Sequence, residues 1–208
     1  ASNVSGPGGN FEQALHAVFR SSEGGAPGSW EVRVDNTDPN KINTLILTNP
    51  VSSSYSYCGW GYRDYWTPMG WYCNVIAVDP RNPDVVWAAG VDLFRSDDGG
   101  RNWGLASYWW ASPLAAVQNW VHADQHAIVF HPHYDGTTVK SMFSASDGGI
   151  FRTDNPNSYI SQSDAAICDP GRSAVTFTNL NHGFGITQFY HGAPYPGGEG
   201  YLAGTNQA

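Results

Sequence analysis

Charge is scarce in this chain. Only 13% of its 208 residues are charged, against about 25% in an average soluble protein. Two lysines and eight arginines face eighteen acidic residues, giving a net charge of −8. So few cations form no basic stripe to neutralise phosphates, which excludes nucleic acid as an expected partner. An anionic bilayer surface would repel the chain. No run of about 18 apolar residues exists to span a membrane.

Cysteine is also rare, with three in all. Cys58 and Cys73 bracket the aromatic segment 59–72. A disulfide closing that loop is the preferred reading, with two buried thiols as the alternative. Cys168 is left over, either free or paired with sequence outside this chain. The opening Ala1-Ser2-Asn3 has no leader character and reads as a mature or excised start, which leaves secretion open.

Turn formers and large rings are abundant. The chain has 24 glycines, 13 prolines, nine tryptophans and eleven tyrosines, and 41% of it is hydrophobic, enough for a real core. That mixture predicts an all-β protein of short strands rather than a helical bundle, and it suits sugar-facing surfaces.

The tripeptide Phe-Arg-Ser/Thr recurs at Phe19-Arg20-Ser21, Phe94-Arg95-Ser96 and Phe151-Arg152-Thr153. A Pro-containing turn followed by an apolar run recurs with it, as at Val78-Asp79-Pro80, Thr37-Asp38-Pro39 and Phe130-His131-Pro132. The clearest copy predicts strands at 74–78, 85–89, 93–96 and 102–106. The next predicts 126–131, 139–144, 149–153 and 174–180. After Thr37-Asp38-Pro39 a strand is expected at 43–48. Four short strands per unit of about 40–50 residues describe a propeller blade. The expected organisation is a partial β-propeller of three to four antiparallel four-stranded blades. They lie near 14–50, 74–106, 126–180 and 186–208 (incomplete), with insertions at 51–72 and 107–121. A propeller has at least four blades, so the chain reads as a piece of one. Its remaining blades, or a neighbouring subunit, are expected partners.

Ser96-Asp97-Asp98-Gly99-Gly100-Arg101-Asn102-Trp103 fits the pattern Ser-x-Asp-x-Gly-x-x-Trp in full, and decayed copies follow Ser21 and Thr153. The chain thus resembles the Asp-box (BNR-repeat) propeller superfamily, which includes sialidases, xyloglucanase-type glycosidases and sortilin-like receptors. The succession His122-Ala123-Asp124-Gln125-His126, Asp147-Gly148-Gly149 and Gln188-Phe189-Tyr190 looks like that of secreted bacterial sortilin-like members. The resemblance implies an extracellular or cell-surface module binding a glycan or protein through its top face. The alternatives it leaves are a fragment of a polysaccharide hydrolase and a structural surface or filament component. Whether the chain is an enzyme stays open.

The box itself reads as architecture. Ser96 and Asp98 bond local backbone amides, Gly100 allows a left-handed turn, and Trp103 packs between blades. Chemistry is expected elsewhere. His122, Asp124 and His126 alternate and would share one face if extended, and Asp147 lies in a turn opening onto the same end. Asp124 and Asp147 are the candidate catalytic carboxylates, and His122 and His126 the candidate binding imidazoles. Such a set could ligate a metal at His122, Asp124 and His126, but no independent zinc spacing supports it. A hydrogen-bonded network is preferred and no cofactor is expected. Glycosidase chemistry needs two carboxylates flanking the scissile bond, from among Asp64, Asp92, Asp124 and Asp147. Trp60, Trp66, Trp71, Trp109 and Trp110 are candidates for stacking on sugar faces, with packing between blades as the alternative. The Phe-Arg-Ile-Pro signature of sialidases is absent.

Overall fold

A strand buried on both faces reads as a nearly unbroken apolar run rather than an alternating one. The run 85–89 is such a case, and it lies at the centre of the molecule. A computed structural model describes residues 5–6, 9–10, 15–35, 37–48, 70, 72–111, 117–183, 189–194 and 201–205. The chain is mostly antiparallel sheet. A short hairpin pairs β1 (Ser5–Gly6) with β2 (Gly9–Asn10), and a second pairs β3 (Val18–Ser21) with β4 (Trp30–Val34). A helix, α1 (Lys41–Thr48), follows. The first four-stranded meander runs β5 (Val75–Asp79), β6 (Asn82–Ala89), β7 (Leu93–Ser96), β8 (Gly104–Leu105). The second runs β9 (Gln125–Phe130), β10 (Met142–Ser146), β11 (Gly149–Thr153), β12 (Thr178–Asn179). A last hairpin joins β13 (Phe189–Pro194) to β14 (Tyr201–Thr205).

The strand expected at 43–48 is a helix. Asn40 and Asp164 both accept from the Ile42 amide, at 3.2 and 2.9 Å, and so cap its first turn. Ile42, Leu45 and Ile46 recur at helical spacing and are buried. Buried Asn43 accepts from the Trp103 amide at 2.9 Å and donates to Asp38 and to the Arg101 carbonyl. Its side chain, not its backbone, thus ties this segment to the β5–β8 sheet.

Alternate residues of β6 enter two different cores. Val86 and Ala88 join Phe94, Trp103 and Leu105 against Val34, α1, Ala166 and Ile167. Trp87 and Ala89 join Leu93 and Ala106 against Ile128, Met142 and Phe151 of the next sheet. The β5–β8 sheet is therefore stacked between the β3–β4/α1 unit and the β9–β12 sheet.

The turn from β7 to β8 explains the Ser-x-Asp pattern. Ser96 Oγ accepts from the amides of Gly100 (2.8 Å) and Asp98 (3.3 Å), and donates to Asp98 Oδ1. Asp98 Oδ1 also accepts from the amides of Arg101 and Asn102. Gly100 sits at φ +91°, in the left-handed region. The indole of fully buried Trp103 donates to the Gly100 carbonyl at 2.9 Å. Burial alone would raise the Asp98 carboxyl, but its hydrogen bonds from Asn102, Ser96 and Arg101 outweigh that and hold it below its ordinary value.

The other two copies keep the core of this device. Ser21 Oγ accepts from the amides of Glu23 and Gly25. Thr153 Oγ1 accepts from the Asn155 amide, and Asn155 Oδ1 accepts from the Thr176 amide at 2.9 Å, as Asp98 does from Asn102. Register makes the equivalence explicit. Arg95 pairs with Gly104, Arg152 with Thr178 and Arg20 with Glu31. Phe177 and Trp30 thus occupy the Trp103 position. The third copy is not decayed but split, because a strap runs between Asn155 and Thr176.

The strap contains two 3-10 turns, Asp164–Cys168 and Pro170–Arg172, and crosses the edge of β8. Gly104 makes room for it, since a Cβ there would collide with Ile160. Arg95 donates to the carbonyls of Pro156 and Ser158 and pairs with Asp97. Tyr108 donates to the Ala166 carbonyl.

Candidate functional site

Antiparallel meanders send alternate turns to opposite ends. The Ser96–Trp103 turn after β7 lies at one end. The β6–β7 turn, the β10–β11 turn and the segments entering β5 and β9 gather at the other. Strands β5 and β9 pack side by side, so their entering segments meet.

Asp147, in the β10–β11 turn, is the hub. Its Oδ1 lies 2.6 Å from His126 Nε2. The Tyr72 hydroxyl donates to both carboxylate oxygens, at 3.0 and 3.2 Å. Tyr72 and His126 meet edge to face at 4.9 Å between ring centroids. The Asp147 amide donates to the Asp124 carbonyl at 3.2 Å. A Cβ on Gly148 would collide with the Cβ and ring of His122, so glycine there lets that side chain lie against the turn.

Asp124 departs from the extended backbone expected of 122–126. Its φ of +64° makes it the one non-glycine residue in the left-handed region among the described residues. The strand starts only at Gln125, and His122, Asp124 and His126 do not form one alternating face. Asp124 is half-buried, and Oδ1 accepts a 3.7 Å contact from Cys73 Sγ. Burial pushes its carboxyl above the ordinary range. The charge of Asp147 adds to this, while the Cys73 contact and the two imidazoles oppose it.

Two buried side chains brace this end. Gln125 donates from its amide to the Gly90 carbonyl at 2.7 Å and from its side chain to the His122 carbonyl, and it accepts from Ser144 Oγ at 2.5 Å. Asp92, in the β6–β7 turn, accepts from Ser107 Oγ at 2.8 Å and from the Trp109 amide at 2.9 Å. Burial raises the Asp92 carboxyl to about 7, against these hydrogen bonds and with a contribution from the Asp124 charge.

The structure therefore brings Asp124, His126 and Asp147 together, with His122 over the adjoining glycine. Trp109 and Trp110 are half-buried. Trp110 packs edge-on against Tyr108 at 5.8 Å, and the Trp109 carbonyl accepts from the Trp120 indole at 3.0 Å. Trp60, Trp66, Trp71, Asp64 and Cys58 lie outside the described residues. The expected Cys58–Cys73 bridge is corrected. Cys73 is a buried thiol aimed at Asp124, whereas Cys168, expected to be left over, is disulfide-bonded. Among the described residues no group of three or more His, Cys, Asp or Glu side chains is arranged to hold a metal ion. Sequence reasoning missed Tyr72 and the Cys73 thiol as site members. The available signal was positional, since Tyr72-Cys73 enters β5 as His122–Asp124 enters β9. No family model, curated protein or solved structure matches this chain.

Proposed function

We propose that this chain is part of an extracellular Asp-box β-propeller that binds a glycan through the end carrying Asp147. Three Ser/Thr-anchored turns in equivalent register, on sheets stacked face to face, support the propeller reading. A disulfide at Cys168 supports an oxidising compartment. The observation that carries the ligand reading is the Asp147 cluster. A carboxylate, an imidazole and a phenol, partly open to solvent, interleave acceptors and donors as sugar hydroxyls require. A glycan array probed with the full-length protein tests it. Binding is expected, with a loss of at least about tenfold in Asp147→Ala and His126→Ala, the effect of one charge-assisted hydrogen bond. Capture of protein ligands alone would refute the glycan reading.

Polysaccharide hydrolysis is the second reading, favoured by two carboxyls that meet at one end of the sheets. Asp124 is pushed up by burial, while Asp147 is held as an acceptor by Tyr72 and His126. One acid and one base of that kind are what glycoside cleavage uses. Hydrolysis abolished by Asp124→Asn would replace the binding-only reading. Blank arrays together with blank hydrolysis screens would leave a structural surface role.

A further inference from the structure

We propose that Asp92 is a positioning residue for the Asp147 cluster, reaching it through Trp109, Trp120 and His122. The path is contiguous. Asp92 Oδ1 accepts from the Trp109 amide at 2.9 Å. The Trp109 carbonyl accepts from the Trp120 indole at 3.0 Å. The Trp120 ring meets the His122 ring edge to face at 6.4 Å and Phe151 at 5.5 Å. His122 in turn lies over Gly148, beside Asp147. Ser107 Oγ bridges Asp92 Oδ1 to the Leu93 amide, which fixes the carboxylate to the β7 backbone.

An ionised carboxylate accepts shorter and stronger hydrogen bonds than a protonated one. The charge state of Asp92 therefore sets how tightly residue 109 is drawn in, and Trp120 follows through the same residue. The titratable groups facing Asp92 are Asp124, from the segment entering β9, and Tyr108, from the aromatic segment. Burial, with the Asp92 charge adding, raises the Tyr108 phenol far above its ordinary range, so it stays neutral. Burial raises the Asp92 carboxyl, and the like charge of Asp124 adds to it, which places its proton loss at about pH 7.

The inference rests on reading the Asp147 cluster as a binding site, but its test needs no ligand, so the two can fail separately. The probe is the pH dependence of the Trp109 amide and Trp120 indole N–H resonances by NMR in the full chain. Both are expected to show a step centred at about pH 7 in His122→Gln, where no imidazole lies against Trp120. The step is expected to vanish when Asp92→Asn is added to His122→Gln. A step that survives in that double variant, or one confined to Trp109, overturns the proposal. Should Asp92→Asn fail to fold, Ser107→Ala serves instead. It removes a hydrogen bond that lowers the Asp92 carboxyl, so the midpoint must move up, and an unmoved midpoint overturns the proposal.

Discussion

At the scale of single residues, two carboxyls at one end of the sheets bear on stability by different routes. Asp92 holds its proton up to about pH 7 in the fold and loses it near 3.8 when unfolded. Between those values the native state binds more protons than the unfolded chain, so stability falls as pH rises through that window. Asp92→Asn removes the fall. Its melting temperature is expected to gain on the wild type by roughly 8–16 °C between pH 4 and pH 8, from about three pK units over a chain of this size. Calorimetry at the two pH values checks this. Asp124 poses the other case, a left-handed backbone that glycine would occupy without cost. Asp124→Gly is expected to melt no lower than the wild type, and Asp124→Ala to be less stable than Asp124→Gly by about 1 kcal/mol. Denaturant titration of the pair measures that difference. The meeting of Asp124, His126 and Asp147 was legible in the spacing of residues around one strand entry and one turn. The inward turn of Asp124 was not, because a positive φ at a non-glycine residue leaves no mark in composition or periodicity.

At the scale of elements, the Ser96–Trp103 turn carries its own stability test. Asp98 takes four hydrogen bonds from backbone and side chain around one carboxylate. Asp98→Ala is expected to cost about 1–3 kcal/mol, and Trp103→Ala about 3–5 kcal/mol by emptying a fully buried site. Asp98 is also a source of acid sensitivity. Its carboxyl is held below the ordinary 3.8, so its stabilisation is present above that value and lost as pH falls through its folded pKa. The wild type but not Asp98→Asn should lose that increment in acid titrations of stability. This box was readable from its residues alone, since each one has a distinct turn role. The third box was not, because Phe177 replaces the tryptophan from the far side of the strap. The 43–48 segment was misread for another reason. Ile42, Leu45, Ile46 and Leu47 suit a buried strand as well as a helix, and the distant cap from Asp164 decides between them.

At the scale of the whole molecule, the stacking leaves one face of each outer unit open. Phe19, Trp30 and Val32 are 44%, 57% and 53% exposed, whereas their register equivalents Phe94, Trp103 and Leu105 are 1%, 0% and 1% exposed. At the other end Val129 and Ile150 project from the β9–β12 sheet. Exposed apolar sheet faces invite association. Sedimentation velocity of this chain is expected to show concentration-dependent self-association that Val129→Lys with Ile150→Lys, or Trp30→Lys, reduces. A monomer at all concentrations would mean that the open faces are inert. These substitutions should cost little stability, unlike Trp103→Ala, because their sites are already wet. The split third box carries one more lesson. Its base holds whether the partner lies seven residues away, as Trp103 does from Ser96, or twenty-four, as Phe177 does from Thr153. Lengthening a closed loop by that factor costs only about 1 kcal/mol of chain entropy. The turn base thus acts as a splice port, and the Ser96 turn offers a second place where foreign sequence can be grafted and displayed without rebuilding the sheet beneath it.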